Sequence, residues 1–218
     1  MKKHVPRRFF PALVLMAAAC HPAPKESQSA LGAPRDAPAS QSTKPAESGY
    51  ANVNGLKLYY EVHGKGKPLV LLHGSYMNIP MNWAHAIPLL ARSRQVIVAE
   101  MQGHGRTRDV PREFSYEAMA DDVSGLLGHL KIESADMLGY SMGGGIAFQV
   151  AIRHPEQVRR LVILSGAYSH DGWWPDVEAS FATMNAEAFK GTPFEEEYRR
   201  FGNDPTHFPE FIKELRGS

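Results

Sequence analysis

An apolar run, Ser134-Ala135-Asp136-Met137-Leu138, is followed by Gly139-Tyr140-Ser141-Met142-Gly143, and then by a helical pattern from Ile146 to Arg153 that stops before Pro155. The first stretch is short and reads as a buried strand; the last reads as a helix. A serine between strand and helix, with glycines two residues to either side, is the pattern of a nucleophile elbow. The turn is sharp and strained, so Gly139 and Gly143 are the residues that fit its flanks, and the Ser141 oxygen is left exposed above the sheet. The start of the helix supplies free N–H groups and a positive dipole end, suited to a developing oxyanion. The rest of the chain is organised around this strand–turn–helix unit.

Ahead of it, Tyr50 to His63 reads as two short strands turning at Asn54-Gly55, with Leu56, Leu58 and Tyr60 alternating as on a half-buried strand. Pro68 to Leu72 and Gln95 to Ala99 are continuous apolar runs, as in strands covered on both faces. A helix is expected from Asn82 to Arg92. Another is expected after Ser115, which can cap it, with Met119, Val123, Leu126, Leu127 and Leu130 on one face. Leu161 to Leu164 gives one more buried strand. Strands alternating with helices argue an α/β fold with a mostly parallel sheet. From Ala167 the texture changes to aromatic residues among charges and prolines, read as short helices joined by turns: a lid whose aromatics line a cavity, or pack the helices on one another.

The first residues are not part of the fold. Lys2, Lys3, Arg7 and Arg8 precede an apolar stretch from Phe9 to Ala19 that is too short to span a membrane, and small residues lead to Cys20, the sole cysteine. Residues 1–20 therefore read as a signal peptide. Its end resembles a bacterial lipoprotein signal, which implies lipidation at Cys20 and an exported, membrane-anchored protein; an ordinary secretory signal is the alternative. Residues 21–48 are rich in Pro, Ala, Ser, Lys and Gln and read as a disordered tether. The folded part is then 49–168, with the helical lid at 169–218. Without the signal, 20 basic side chains face 23 acidic ones, so nothing points to nucleic acid.

Three motifs stand in a shared order: His73-Gly74-Ser75 after the first buried strand, Gln102-Gly103-His104-Gly105-Arg106-Thr107 after the second, and Gly139-Tyr140-Ser141-Met142-Gly143-Gly144 after the third. Together they resemble the α/β-hydrolase fold family, in its lid-bearing branch of esterase-, lactonase- and haloperoxidase-like enzymes. The resemblance implies Ser141 as the nucleophile and the backbone N–H groups of Ser75 and Met142 as oxyanion donors. It gives His73 and His104 structural roles in their loops. Glu100 stands where relatives often carry aspartate.

In that family the acid and then the histidine of the triad follow the serine in the chain. The sequence reaches Ser218 in lid-like residues, so the usual acid and histidine have no counterpart in it, and a truncated hydrolase is expected. His170-Asp171 and His207 are the local candidates for a replacement. No pair of histidines has metal-ligand spacing with a carboxylate, so no metal is expected. Gly143-Gly144-Gly145 lacks the lysine of a phosphate loop, so no nucleotide or other cofactor is expected either. The implied reaction is acyl transfer from a small-molecule ester or lactone to water, impaired in this chain. The alternative is a non-catalytic hydrolase-fold protein that binds an apolar ligand or partner.

Overall fold

The computed structural model describes residues 44–167, 175–201 and 205–217. The signal segment, Cys20 and nearly all of the tether lie outside the described residues, as do His170, Asp171, Trp173 and Trp174. Strands β1 (Glu47–Val53) and β2 (Leu56–His63) form a hairpin, and its turn residues Asn54 and Gly55 both have positive φ, 48° and 82°. That pairing is a type I′ turn, whose twist matches the strands it joins. β1 starts before the expected boundary: Glu47 pairs with Val62 and accepts a hydrogen bond from the Tyr60 hydroxyl at 2.6 Å, so the end of the supposed tether belongs to the sheet.

Strands β3 (Lys67–Leu72), β4 (Arg94–Ala99), β5 (Ala135–Tyr140) and β6 (Val158–Leu164) complete a six-stranded sheet in the order β1-β2-β4-β3-β5-β6. β3 pairs parallel with both β4 and β5, and β5 parallel with β6; β2 alone joins β4 antiparallel. The mostly parallel α/β sheet expected from the sequence is therefore present.

The single helix expected over 82–92 is instead two short ones, α1 (Ile79–Trp83) and α2 (Ile87–Leu90). Pro80 and Pro88 each sit in a first helical turn, where a missing N–H costs nothing. Inside one continuous helix, Pro88 would delete a hydrogen bond and clash with the preceding turn. The capping prediction holds further on: Ser115 Oγ accepts from the Ala118 N–H at 3.1 Å to open α3 (Tyr116–His129). Helix α4 (Met142–Arg153) begins directly after Ser141, so the glycine run lies within it.

One face of the sheet packs Val70, Leu72, Ile97 and Met137 against Leu126 and Leu127 of α3 and Ile146 and Val150 of α4. The other face packs Leu69, Leu71, Val96 and Val98 against Ile79, Trp83 and Ile87 of α1 and α2. β6 departs from its expected burial. Leu161 and Ile163 pack on the core, but Val162 and Leu164 are 47% and 45% exposed. The cause is position: β6 is the outermost strand, and no described helix covers its second face.

After β6 come α5 (Pro175–Thr183), α6 (Pro193–Arg200) and α7 (Phe208–Gly217), with 3-10 turns at Ala186–Phe189 and Pro205–His207. These are the short helices that the aromatic-rich texture predicted. Phe189, Tyr198, Phe208 and Phe211 are buried against one another, with ring centroids 4.8 Å apart for Tyr198 and Phe208 and 5.1 Å for Tyr198 and Phe211.

Candidate active site

Ser141 stands at the junction of β5 and α4 with φ 52° and ψ −119°, a conformation that non-glycine residues rarely adopt and that costs roughly 1–3 kcal/mol. The surroundings enforce it. A Cβ on Gly139 would overlap the Gly143 carbonyl, and a Cβ on Gly143 would overlap the Leu72 carbonyl at the end of β3. The turn is pinned on both sides: the Ser141 N–H donates to the Leu164 carbonyl at 2.9 Å, and the Ser141 carbonyl accepts from the Gly144 N–H at 2.8 Å.

The His73-Gly74-Ser75 segment lies against this turn. A Cβ on Gly74 would sit 3.4 Å from Ser141 Cβ and 3.0 Å from the Tyr140 ring, so the two loops approach to tight contact there and a side chain would press on Tyr140. Three N–H groups in and just after this segment are occupied. Gly74 donates to Asn82 Oδ1 at 2.8 Å, Tyr76 to His104 Nε2 at 3.2 Å, and Met77 to the Gly74 carbonyl at 3.3 Å. The Ser75 N–H has no acceptor among the described residues, and neither does that of Met142 at the first position of α4. The Met142 N–H stands at the N-terminus of α4, where a helix leaves its first donors without internal partners.

His73 and His104 are fully buried, their rings 4.9 Å apart. The backbone fixes their tautomers. His73 Nε2 accepts the Met101 N–H at 3.0 Å, so its Nδ1–H donates to the Gly74 carbonyl at 2.8 Å. His104 Nε2 accepts from Tyr76, so its Nδ1–H donates to the Gln102 carbonyl at 2.8 Å. Burial holds His73 at about 4; burial and then the neighbouring His73 hold His104 at about 3. With both ring nitrogens committed, these histidines shape the loops and have no lone pair to offer Ser141, as the family resemblance implied.

Two further groups fix the loops and were not singled out from the sequence. Asn82, which holds the Gly74 N–H, is eight residues away and carries no motif. Glu100 directly follows β4. It is fully buried and accepts the Arg106 N–H at 2.6 Å, the Arg106 guanidinium at 2.8 Å and the Ile79 N–H at 3.3 Å. Burial pushes its carboxyl up against the pull of Arg106. A Cβ on Gly105 would overlap that carboxylate, which explains the glycine facing it.

The C-terminal helices dock on these same loops. Phe211 lies 5.0 Å from the His104 ring and Phe189 4.7 Å from the Tyr76 ring, and Asn78 Nδ2 donates to Glu197 Oε2 at 3.0 Å. Arg106 stacks between Tyr59 at 4.4 Å and Phe201 at 4.3 Å. The space left between Tyr76, His104, Phe194, Tyr198 and Phe211 is about 10 Å³, room for no more than one water. The aromatics of this segment therefore pack the helices onto the loops rather than line an open cavity. Among the described residues no histidine hydrogen-bonds Ser141, and His207 faces Asp109, with Nε2 to Oδ2 at 3.4 Å.

A family model described as the alpha/beta hydrolase fold matches residues 67–205. The chain is similar to the 2-hydroxymuconate semialdehyde hydrolase of Pseudomonas sp. (strain CF600), 41% identical over 116 residues that make up 52% of this chain and 41% of that protein. It is also similar to the soluble epoxide hydrolase of Corynebacterium sp. (strain C12), 36% identical over 114 residues, 52% of this chain and 40% of that one. The matched stretch thus spans about two-fifths of the length of these relatives. Among solved structures, an N-acyl homoserine lactone degrading enzyme is 30% identical, with a TM-score of 0.57 over 73% of this chain and 67% of the other.

Proposed function

Since the chain belongs to the α/β-hydrolase fold family, we propose that Ser141 is the nucleophile of a carboxylic-ester or lactone hydrolase. The observation that carries this reading is the conjunction at the elbow. A strained serine at the head of α4 lies against the loop at Gly74, and the N–H groups of Ser75, next in that loop, and of Met142 have no acceptor among the described residues. Ser141 Oγ would attack the substrate carbonyl carbon, and the two N–H groups would hold the resulting oxyanion. Collapse would break the bond to the leaving oxygen, and water would release the acid from the acyl-serine. Losing one such donor typically costs roughly 100- to 1000-fold in rate. No cofactor enters this sequence. The kinship with a lactone-degrading enzyme supports a lactone or ester as substrate.

The proposal includes impairment. The serine proton needs an acceptor; His73 and His104 are committed to backbone groups, and no histidine among the described residues hydrogen-bonds Ser141. Without a base, serine hydrolases lose on the order of a million-fold in rate, retaining what the oxyanion hole and binding supply. The 218-residue chain is expected neither to hydrolyse p-nitrophenyl acetate above background nor to label with a fluorophosphonate. Extended with the acid- and histidine-bearing strands of a relative, it should do both, and Ser141→Ala should abolish both. Labelling of the natural chain at Ser141 would overturn the impairment, and His170→Ala and His207→Ala would then locate the base. An extended chain that stays inert would favour the non-catalytic reading. We further propose export and lipid anchoring at Cys20; a Cys20→Ser chain should leave the detergent phase.

A further inference from the structure

Far apart in sequence, Asp109, His207 and Glu214 converge: one ligand atom from each lies within 4.8 Å of the others. They come from the loop between β4 and α3, the 3-10 turn before α7, and α7 itself. We propose that these three side chains form a site for a divalent transition-metal ion of the zinc class, which clasps the C-terminal helices to the loop after β4.

Three observations carry this. The first is a distance. His207 Nε2 and Asp109 Oδ2 are 3.4 Å apart, well beyond the roughly 2.7–2.9 Å of a charge-assisted hydrogen bond. Two ligands about 2.1 Å from one tetrahedral ion are separated by about 3.4 Å, so the pair has the spacing of a shared cation. The second is an orphan. Glu214 Oε2 is buried with no hydrogen-bond partner, an expensive state for a carboxylate oxygen unless something positive meets it. Lys213, next to it, is taken by Glu210 at 2.9 Å, and Arg112, near Asp109, is committed to Gln102 and Asp122.

The third is orientation. Asp109 Oδ1 accepts from Gln102 Nε2 at 2.7 Å and from the Val110 N–H at 2.8 Å, and Gln102 is fully buried. One oxygen is thereby anchored and the other turned toward His207, as outer partners orient a metal-binding carboxylate. An N,O,O donor set suits zinc and related borderline ions, and leaves a fourth position for water.

The test uses the full chain without a histidine tag, freed of metal by a chelator and titrated with zinc chloride alone. The expected result is one ion bound per chain, with the melting midpoint raised by about 5 °C or more at a hundredfold excess over Kd. His207→Ala and Asp109→Asn should weaken binding at least tenfold, while His85→Ala, an exposed histidine outside the cluster, should not. Glu214→Gln gives the sharper sign. In chelator it should melt at or above the natural chain, because it relieves repulsion with Asp109; in zinc it should melt below it. Absence of a zinc-dependent shift, a shift that survives His207→Ala, or a Glu214→Gln loss equal in zinc and in chelator would each overturn the proposal, the last by making the cluster an ordinary ion pair.

Discussion

The Ser141 N–H donates to the Leu164 carbonyl at 2.9 Å, so the elbow hangs from the outermost strand of the sheet. The proposed nucleophile's strained backbone is thus held by β3 through Gly143, by β6 through Leu164 and by its own helix through Gly144. Strain persists only where its surroundings over-determine it. Here those surroundings are backbone groups, which cannot move aside as a flexible side chain would.

That arrangement ranks the glycines. Gly143→Ala would drive a methyl group into the Leu72 carbonyl and should destabilise the fold by about 3 kcal/mol, at the upper end of overpacking costs. Gly128→Ala, in α3 with nothing within 4 Å of the new atom, should instead stabilise by about 0.5–1 kcal/mol. Urea midpoints of the two variants against the natural chain check the opposite signs.

The paired histidines set an acid-side limit. His73 and His104 are held at about 4 and about 3, whereas an unfolded histidine titrates at about 6.5. As pH falls below about 6.5 the unfolded chain takes up protons that the folded chain refuses, so folding stability falls progressively toward pH 3–4. Nitrogen-15 imidazole spectra should show both rings neutral, with Nδ1 protonated, at pH 5. His104→Ala would leave the Tyr76 N–H without its acceptor and a void beside Phe211, and should cost about 2–4 kcal/mol.

How much of this could be read from the chain follows from how local each signal is. The hairpin at Asn54-Gly55, the Ser115 cap and the Gly139-to-Gly143 elbow are each dictated within a few residues, and each is where the pattern put it. The division of 82–92 into two helices was written in Pro88, whose incompatibility with a helix interior should have outweighed the apolar spacing. The exposure of Val162 and Leu164 could not be read from residue types, because an apolar strand looks the same at the centre of a sheet and at its edge. The convergence of Asp109 with His207 and Glu214 has no sequence signature, since about a hundred residues separate its parts and only the docking of α7 joins them.

At the opposite end of β5 from Ser141, Asp136 binds two cations, Arg94 at 2.6 Å and Arg159 at 2.8 Å. The hydrogen bond from Arg159, then that from Arg94, holds its carboxyl at about 2. A carboxyl held below its unfolded value contributes stability above about pH 4 and loses it as pH falls through the folded value. Asp136→Asn should therefore lower the denaturation midpoint at pH 7, and the gap should close between about pH 4 and pH 2. A gap that stays constant over this range would mean that the cost is steric rather than ionic.

The outer strand carries the last prediction. β6 presents an unpaired edge among the described residues, and beside that edge Val162 and Leu164 are about half exposed on the same face. Unpaired backbone donors and acceptors next to apolar side chains form a template for pairing with another chain, and lysine on such a strand blocks it. Val162→Lys should therefore raise the concentration at which the protein stays monodisperse, while lowering stability by no more than about 1 kcal/mol, because only about half of the valine is buried and the lysine stem can cover part of the same surface. Light scattering across a concentration series measures the first effect and urea unfolding the second. A natural chain that is monomeric at hundreds of micromolar, with Val162→Lys no better, would show that the edge is covered in solution. Because Leu164 holds the Ser141 N–H, whatever covers β6 would also brace the elbow, and the fluorophosphonate reactivity of an extended chain should rise with that cover in place.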